Sequence, residues 1–151
     1  YLRNMYLENN LSRPNKLTVC GRPVDLGAIQ CPAYVLATRE DHIVPWPSAY
    51  ASARLLAGTV EFVLAASGHI AGVINPPSAG KRHYWLNDAR SANAQQWLST
   101  ATNAAGSWWP HWADWLSGLS GEWQSAPTRL GNDRHGPVEA APGSYVLAAS
   151  I

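Results

Sequence analysis

A strand–helix–strand pattern between residues 32 and 65 limits the choice of fold more than any other feature of the sequence. Ala33 to Ala37 is a compact apolar run of the length and bulk of a strand buried on both faces of a parallel sheet. Pro47 to Ala57 has helical spacing and is followed by Gly58, and residues 60–65 form a second apolar run. The pattern predicts a βαβ unit, whose two parallel strands end at the same edge of the sheet.

Two titratable side chains follow these two predicted strands. Asp41 comes just after the first strand, in TREDHIVPW, and His69 follows the second, in Ser67-Gly68-His69. Because open α/β sheets bind ligands at the carboxyl edge of their strands, we expect Asp41 and His69 to lie together there. In α/β-hydrolase-type sites an acid and then a histidine follow the nucleophile along the chain. A helix-capping aspartate and a structural Gly-His turn are the alternatives.

The sequence lacks the nucleophile that such a site requires. Neither Cys20 nor Cys31 has the flanking glycines of a nucleophile elbow, and no serine lies between two properly spaced glycines. The two cysteines form no C-x-x-C pair, so we expect free structural thiols and neither a disulfide framework nor a metal site.

The segments around the βαβ unit are predicted mainly as helices. Residues 1–11 and 92–102 have helical spacing, and residues 17–26 predict a hairpin or irregular β arm. A further helix begins at Pro110 in a region unusually rich in tryptophan, with an apolar stripe of Trp112, Trp115, Leu116 and Leu119. We expect this stripe to pack on the sheet as core; an apolar binding surface is the alternative.

Composition excludes several classes of partner. The chain has 151 residues, a net charge of +1 and no run of Lys or Arg, which argues against binding to nucleic acid or to an anionic membrane. No apolar stretch reaches the roughly 18 residues of a transmembrane segment, and the start lacks the pattern of a signal peptide, so we expect a cytoplasmic location. The chain begins at Tyr1 within a helical pattern, which suggests a piece of a longer protein.

Five ordered phrases of the sequence resemble one enzyme family. YLRNMYLENNL, KLTVCGRPVDL, TREDHIVPWPSAYA, ASGHIAGVINPP and GSWWPHWADWL are similar to the C-terminal half of the catalytic domain of class I poly(3-hydroxyalkanoate) synthases, also called poly(3-hydroxybutyrate) polymerases. The resemblance is weakest after about residue 123. It implies the C-terminal portion of an α/β-hydrolase fold over residues 1–123, with an incomplete sheet of about two core strands, and an extended tail over residues 124–151.

The resemblance also implies an activity and roles for three residues. The family polymerises 3-hydroxyacyl-CoA into polyester with release of CoA, and its catalytic acid and histidine match Asp41 and His69. Its nucleophilic cysteine lies upstream of the YLRN phrase, outside this chain, and Cys20 matches a non-catalytic position. His69 is then the base that activates the thiol. Asp41 either accepts the proton of the 3-hydroxyl or orients His69, and His42 either contacts substrate or makes a structural hydrogen bond.

Partners follow from the same resemblance. The family works as a homodimer on cytoplasmic polyhydroxyalkanoate granules and uses no metal or redox cofactor, since the CoA thioester is its substrate. Without the cysteine, the isolated chain is expected to be inactive. Two other functions remain open at this stage: a non-catalytic, tryptophan-rich module that binds a polymer, and part of an α/β-hydrolase esterase or depolymerase.

Overall fold

The computed structural model describes residues 1–89 and 91–149. The chain divides into two units, Tyr1–Leu119 and Ser120–Ile151. The first contains β1 (Leu17–Val19), β2 (Arg22–Val24), β3 (Ala33–Thr38), α1 (Trp46–Ala53), β4 (Val60–Ala65), β5 (His83–Leu86), α2 (Ala94–Ser99), β6 (Thr102–Ala105) and α3 (Trp109–Leu119). Short π- or 3₁₀-helical turns occupy Arg3–Leu7, Asn10–Ser12, Leu26–Ala28 and Pro77–Ala79, and in the second unit Tyr145–Leu147.

The central element is a mixed four-stranded sheet in the order β3-β4-β5-β6. β3 and β4 are parallel, with partners running from Ala33↔Val60 to Thr38↔Ala65, and β4–β5 and β5–β6 are antiparallel. The predicted βαβ unit is therefore confirmed as β3, α1 and β4. The expectation of two core strands is wrong, because β5 and β6 continue the sheet. The helix predicted over residues 92–102 is shorter, and Thr102 begins β6 instead.

One face of the sheet is covered by α1 and α2. Their side chains form the main hydrophobic core with alternate residues of β3 and β4, as expected when every second strand residue points to the same face. The buried members of this core are Ala37, Trp46, Tyr50, Ala53, Phe62, Leu64, Ala94 and Trp97.

The opposite face contacts α3. The ring of Tyr34, in β3, lies 6.2 Å from that of Trp108, 5.7 Å from His111 and 5.3 Å from Trp115. The Tyr34 hydroxyl is 3.0 Å from Nδ1 of His111, and burial together with the negative charge of Glu61 raises the Tyr34 pKa. The helix is thus held by a part-buried group of aromatic and polar side chains.

The prediction that the apolar stripe of α3 is core is wrong for three of its four residues. Trp112 and Leu116 are each 40% exposed and Leu119 is 54% exposed, whereas Trp115 is half-buried against the sheet. The physical reason is that the contacts of α3 with the described residues lie on one side of the helix, so the outer part of a wide stripe extends into solvent.

The β arm predicted upstream is a two-stranded antiparallel hairpin, β1–β2, with Leu17 opposite Val24. Its turn places Cys20 and Gly21 at φ values of 48° and 73°, the left-handed conformations that a two-residue hairpin loop requires. No helix within residues 1–89 and 91–149 has both the length and the apolar character needed to cross a membrane.

Candidate active site

The parallel strands β3 and β4 bring the two predicted site residues together. Thr38 and Ala65 are register partners at the ends of these strands, and the backbone pairing continues beyond them. The Arg39 N–H donates to the Ala65 carbonyl at 2.8 Å, and the Glu40 N–H donates to the Ser67 carbonyl at 3.0 Å. The loops that carry Asp41 and His69 are therefore tied to each other by main-chain hydrogen bonds.

Asp41 and His69 form a direct hydrogen bond, with 2.8 Å between Asp41 Oδ2 and His69 Nδ1. The Asp41 side chain is 10% exposed and that of His69 is 47% exposed. The structure thus brings together two residues that lie 28 positions apart in the chain, as the sequence pattern predicted.

The other carboxylate oxygen of Asp41 is also occupied. Oδ1 accepts hydrogen bonds from the N–H groups of Ile43, at 2.8 Å, and Val44, at 2.9 Å. The Val44 N–H and then His69 are the largest causes that lower the Asp41 pKa to about 2. Asp41 is therefore a carboxylate at neutral pH and stabilises the loop that leads into α1.

This pairing determines how the imidazole can act. A carboxylate accepts hydrogen bonds only, so the neutral His69 that bonds to Asp41 carries its proton on Nδ1. Nε2 is then the unprotonated nitrogen and is free to accept a proton from another group. The His69 side chain is nearly half exposed, so a group from outside this pair can approach the ring.

The loop after His69 is fixed by contacts that the sequence did not predict. Within the loop, the Gly72 N–H donates to the Gly68 carbonyl at 2.8 Å. From outside, Trp108 Nε1 donates to the Gly72 carbonyl at 3.1 Å, and Trp109 Nε1 donates to the Val73 carbonyl at 2.9 Å. Each of these bonds joins residues 36 positions apart, and no pattern in a single sequence indicates such a pairing.

The remaining candidates lie in exposed positions. His42 is an exposed neighbour of Asp41, and Cys20 and Cys31 are exposed free thiols. Within the described part of the chain, no group of three or more His, Cys, Asp or Glu side chains is placed to hold a metal ion.

Comparison with known proteins identifies relatives along almost the whole chain. It is 57% identical over 148 residues to the poly(3-hydroxyalkanoate) polymerase subunit PhaC of Cupriavidus necator. These aligned residues cover 98% of this chain and 25% of the relative. Poly(3-hydroxyalkanoate) polymerase 1 of Ectopseudomonas oleovorans is 46% identical, over 96% of this chain and 26% of its own. The PhaC subunit of Rhizobium meliloti is 45% identical, over 97% of this chain and 23% of its own.

These relatives confirm the resemblance that the five sequence phrases indicated. The chain spans about a quarter of the length of the curated relatives that it matches. No protein-family model matches it.

Proposed function

We propose that this chain supplies the acid and the histidine of a Cys-Asp-His triad in an acyltransferase. The chain is homologous to poly(3-hydroxyalkanoate) polymerases over about a quarter of their length. The triad's cysteine would come from a part of the longer protein upstream of this chain. The observation that carries the proposal is the 2.8 Å hydrogen bond between Asp41 and His69 at the carboxyl edge of two parallel strands. The α/β-hydrolase fold belongs to the same proposal, and the mixed sheet with helices packed on both faces supports it.

In the first step of the proposed reaction, the enzyme is acylated. His69 Nε2 accepts the proton of the cysteine thiol, and the thiolate attacks the carbonyl carbon of 3-hydroxyacyl-CoA. The bond from that carbon to the CoA sulfur breaks, and the proton held on His69 passes to the departing CoA thiolate. An imidazole serves here because a cysteine of ordinary pKa, about 8.5, is mostly protonated at neutral pH.

In the second step, the chain grows by ester formation. The 3-hydroxyl of one acyl unit attacks the enzyme-bound thioester of another, and a base must accept the hydroxyl proton because an alcohol is a poor nucleophile. The bond from the carbonyl carbon to the cysteine sulfur then breaks, and the proton held by the base passes to the departing cysteine thiolate. Both oxygens of Asp41 already accept hydrogen bonds, and a pKa near 2 makes the carboxylate a weak base. These observations favour His69 as the base and Asp41 as the group that orients it and stabilises its protonated form.

An apolar cleft near the histidine loop supports a polyester as the partner. The cleft has a volume of about 470 Å³ and is lined by Pro77, Trp108, Trp109, Pro110, Trp112 and Ala113. Aromatic and proline side chains suit the methylene and methyl groups of such a polymer. Cytoplasmic granules, a homodimer and a substrate contact at His42 belong to the same proposal. The reaction needs no metal or redox cofactor, because the CoA thioester is already activated.

Substitution at the two residues tests the proposal in the full-length protein. We expect His69→Gln and Asp41→Asn to lower kcat for 3-hydroxybutyryl-CoA by about 10⁴-fold or more, as in other triads. His135→Gln and Asp133→Asn are matched controls, since both residues are exposed and belong to the second unit. A fully active protein carrying either site substitution would contradict the assignment.

Product analysis separates the proposed synthase from the other two functions. A synthase releases free CoA and lengthens the polyester, whereas an esterase or depolymerase consumes water and shortens it. A non-catalytic binding module would do neither, and its binding to polymer film would survive His69→Gln. The names of the relatives describe polymerases and do not favour the last two functions.

A further inference from the structure

The loop that carries His69 forms a single helical turn whose end needs outside hydrogen-bond donors. The Gly72 N–H bonds back to Gly68 at 2.8 Å and the Ile74 N–H bonds back to Ile70 at 2.9 Å. The carbonyls at the end of such a turn have no partner within it. Those of Gly72 and Val73 accept the indole N–H groups of Trp108 and Trp109, at 3.1 and 2.9 Å. The Val73 carbonyl also accepts the backbone N–H of Asn75 at 3.1 Å, so Trp109 shares this acceptor, whereas Trp108 is the donor that reaches Gly72.

Two features show that this contact is specific to the loop. Two successive tryptophans bond to two successive carbonyls, and an indole has one donor and no acceptor, so each N–H is fully used. Gly72, in the same turn, also lies close to Thr38 at the end of β3. A Cβ on Gly72 would lie 2.5 Å from Cγ2 of Thr38, which is itself only three residues before Asp41.

We propose that Trp108 and Trp109 are positioning residues for His69, which hold its loop so that Nδ1 faces Asp41 and Nε2 faces the reacting groups. This inference rests on the proposed function and adds the residues that set the geometry of its base. The tryptophans contact the loop, three and four positions after His69, and not the imidazole itself. Their effect therefore passes through the backbone of residues 69–73.

Loss of the two donors should affect the chemical step more than substrate binding. Without them the turn loses its end and His69 gains freedom to leave Asp41. Misplacement of a catalytic group by about 1 Å can cost about 100-fold in rate. We therefore expect kcat to fall by about 10- to 100-fold while KM changes by less than about twofold.

The test compares phenylalanine substitutions at Trp108, which directly precedes α3, and within α3, in the full-length protein. Trp108→Phe, Trp109→Phe and the double substitution keep an aromatic ring but remove the donor. Trp115→Phe is the matched control, because Trp115 packs on Tyr34 from the same helix and has no bond to the loop among the contacts described above. Incorporation of benzothienylalanine in place of Trp109, with sulfur where the indole has N–H, preserves the shape if the phenylalanine variants fold poorly.

Nuclear magnetic resonance of ¹⁵N-labelled histidine reports on His69 directly. Its signal should not change if Trp108 and Trp109 only stabilise the fold. We expect the Nδ1–H signal of His69 to shift or exchange faster in the donor-deleted proteins, and the pH profile of kcat to change with it. In Trp115→Phe both should match the parent even if thermal stability falls. Unchanged kcat, pH profile and His69 signal in the double variant and in the benzothienylalanine protein would overturn the inference.

The outcome can be told apart from a failure of the proposed function. If His69→Gln retains full activity, the triad itself is wrong. If His69→Gln is inactive and the donor-deleted proteins keep the parent's kcat, pH profile and histidine signal, only the positioning role is wrong.

Discussion

The two faces of the four-stranded sheet use aromatic side chains in different ways. Under α1 and α2, Phe62 packs edge-on against both Tyr50 and Trp97, with ring centroids 5.0 Å apart in each pair, and all three are buried. Under α3, Trp108 and Trp109 are only half-buried and donate their indole N–H groups to the histidine loop. The first face is a buried hydrophobic core, whereas the second is half-buried and donates hydrogen bonds to a loop.

This difference explains why a count of tryptophans was a poor guide to the core. The chain has eight tryptophans, all within residues 1–89 and 91–149, and of these Trp46 and Trp97 are less than a tenth exposed. Burial of an aromatic ring stabilises the fold in proportion to the apolar area removed from water. We therefore expect substitutions on the α1–α2 face to affect stability, and substitutions on the α3 face to affect the site.

The strongest test of this division is Trp97→Ala. Trp97 is 1% exposed and lies at the centre of the core, so we expect the free energy of unfolding to fall by about 3–5 kcal/mol. Chemical denaturation of the 151-residue chain measures this loss. Trp123→Ala is the control, since Trp123 is 97% exposed and should change little. Similar losses from the two substitutions would break the comparison.

Gly72→Ala tests the boundary between the sheet and the site. The new Cβ would lie 2.5 Å from Thr38 Cγ2 and 2.8 Å from the Ala66 carbonyl oxygen, so the loop or β3 must shift. We expect a loss of about 1–3 kcal/mol and a larger relative loss of activity in the full-length protein. Gly118→Ala in α3 is the matched control, because nothing lies within 4 Å of its Cβ. It should be neutral or slightly stabilising.

Asp41 and Glu61 should give opposite pH dependences of stability. We expect each effect to be smaller than those of the packing substitutions, because a change of protonation leaves the core packing unchanged. The Asp41 pKa is lowered from 3.8 to about 2, so its contribution is present above 3.8 and is lost as the pH falls towards 2. Burial raises the Glu61 pKa above 4.5, so its contribution is present below 4.5 and is lost as the pH rises through the higher folded value.

Denaturation curves at several pH values separate these two effects. Asp41→Asn should remove the acid-side dependence, and Glu61→Gln should remove the dependence above pH 4.5. The signs would have to be reconsidered if Asp41→Asn left the loss between about pH 4 and pH 2 unchanged.

The smallest stability effect is expected from Trp112→Ser. Trp112 is 40% exposed on α3 and lines the apolar cleft, so we expect stability to change by within about 0.5 kcal/mol. Retention on a polyester film should nevertheless weaken, while Trp123→Ser should leave it unchanged. A stability loss above about 2 kcal/mol would place Trp112 in the core after all.

The sequence predicted the parts of the fold in which local pattern and final environment agree. β3 and β4 are mostly apolar segments of strand length, and α1 begins near a proline, so their existence and their shared edge could be inferred. The position of Asp41 beside His69 followed from that parallel topology. The proposed catalytic roles of the pair came from the family resemblance and stay predictions.

The elements that were missed depend on long-range pairing. β5 and β6 have only four residues each, and Thr102 to Ala105 reads as a small-residue segment with little strand character. β5 becomes a strand because β4 offers an edge to pair with, and β6 pairs in turn with the free edge of β5. The extent of burial of α3 could not be predicted either, because a periodic stripe shows which residues share a face but not how far the opposing surface extends.

The backbone hydrogen bond from Glu40 to Ser67 has a consequence for mutational tolerance near the site. This contact uses the Glu40 N–H and no atom of its side chain, which is exposed. A saturation library at position 40 should therefore accept most amino acids and select strongly against proline, the one residue without an N–H to donate. Asp41 and His69, which lie 28 positions apart, would then depend on a main-chain contact that almost any substitution at position 40 leaves intact.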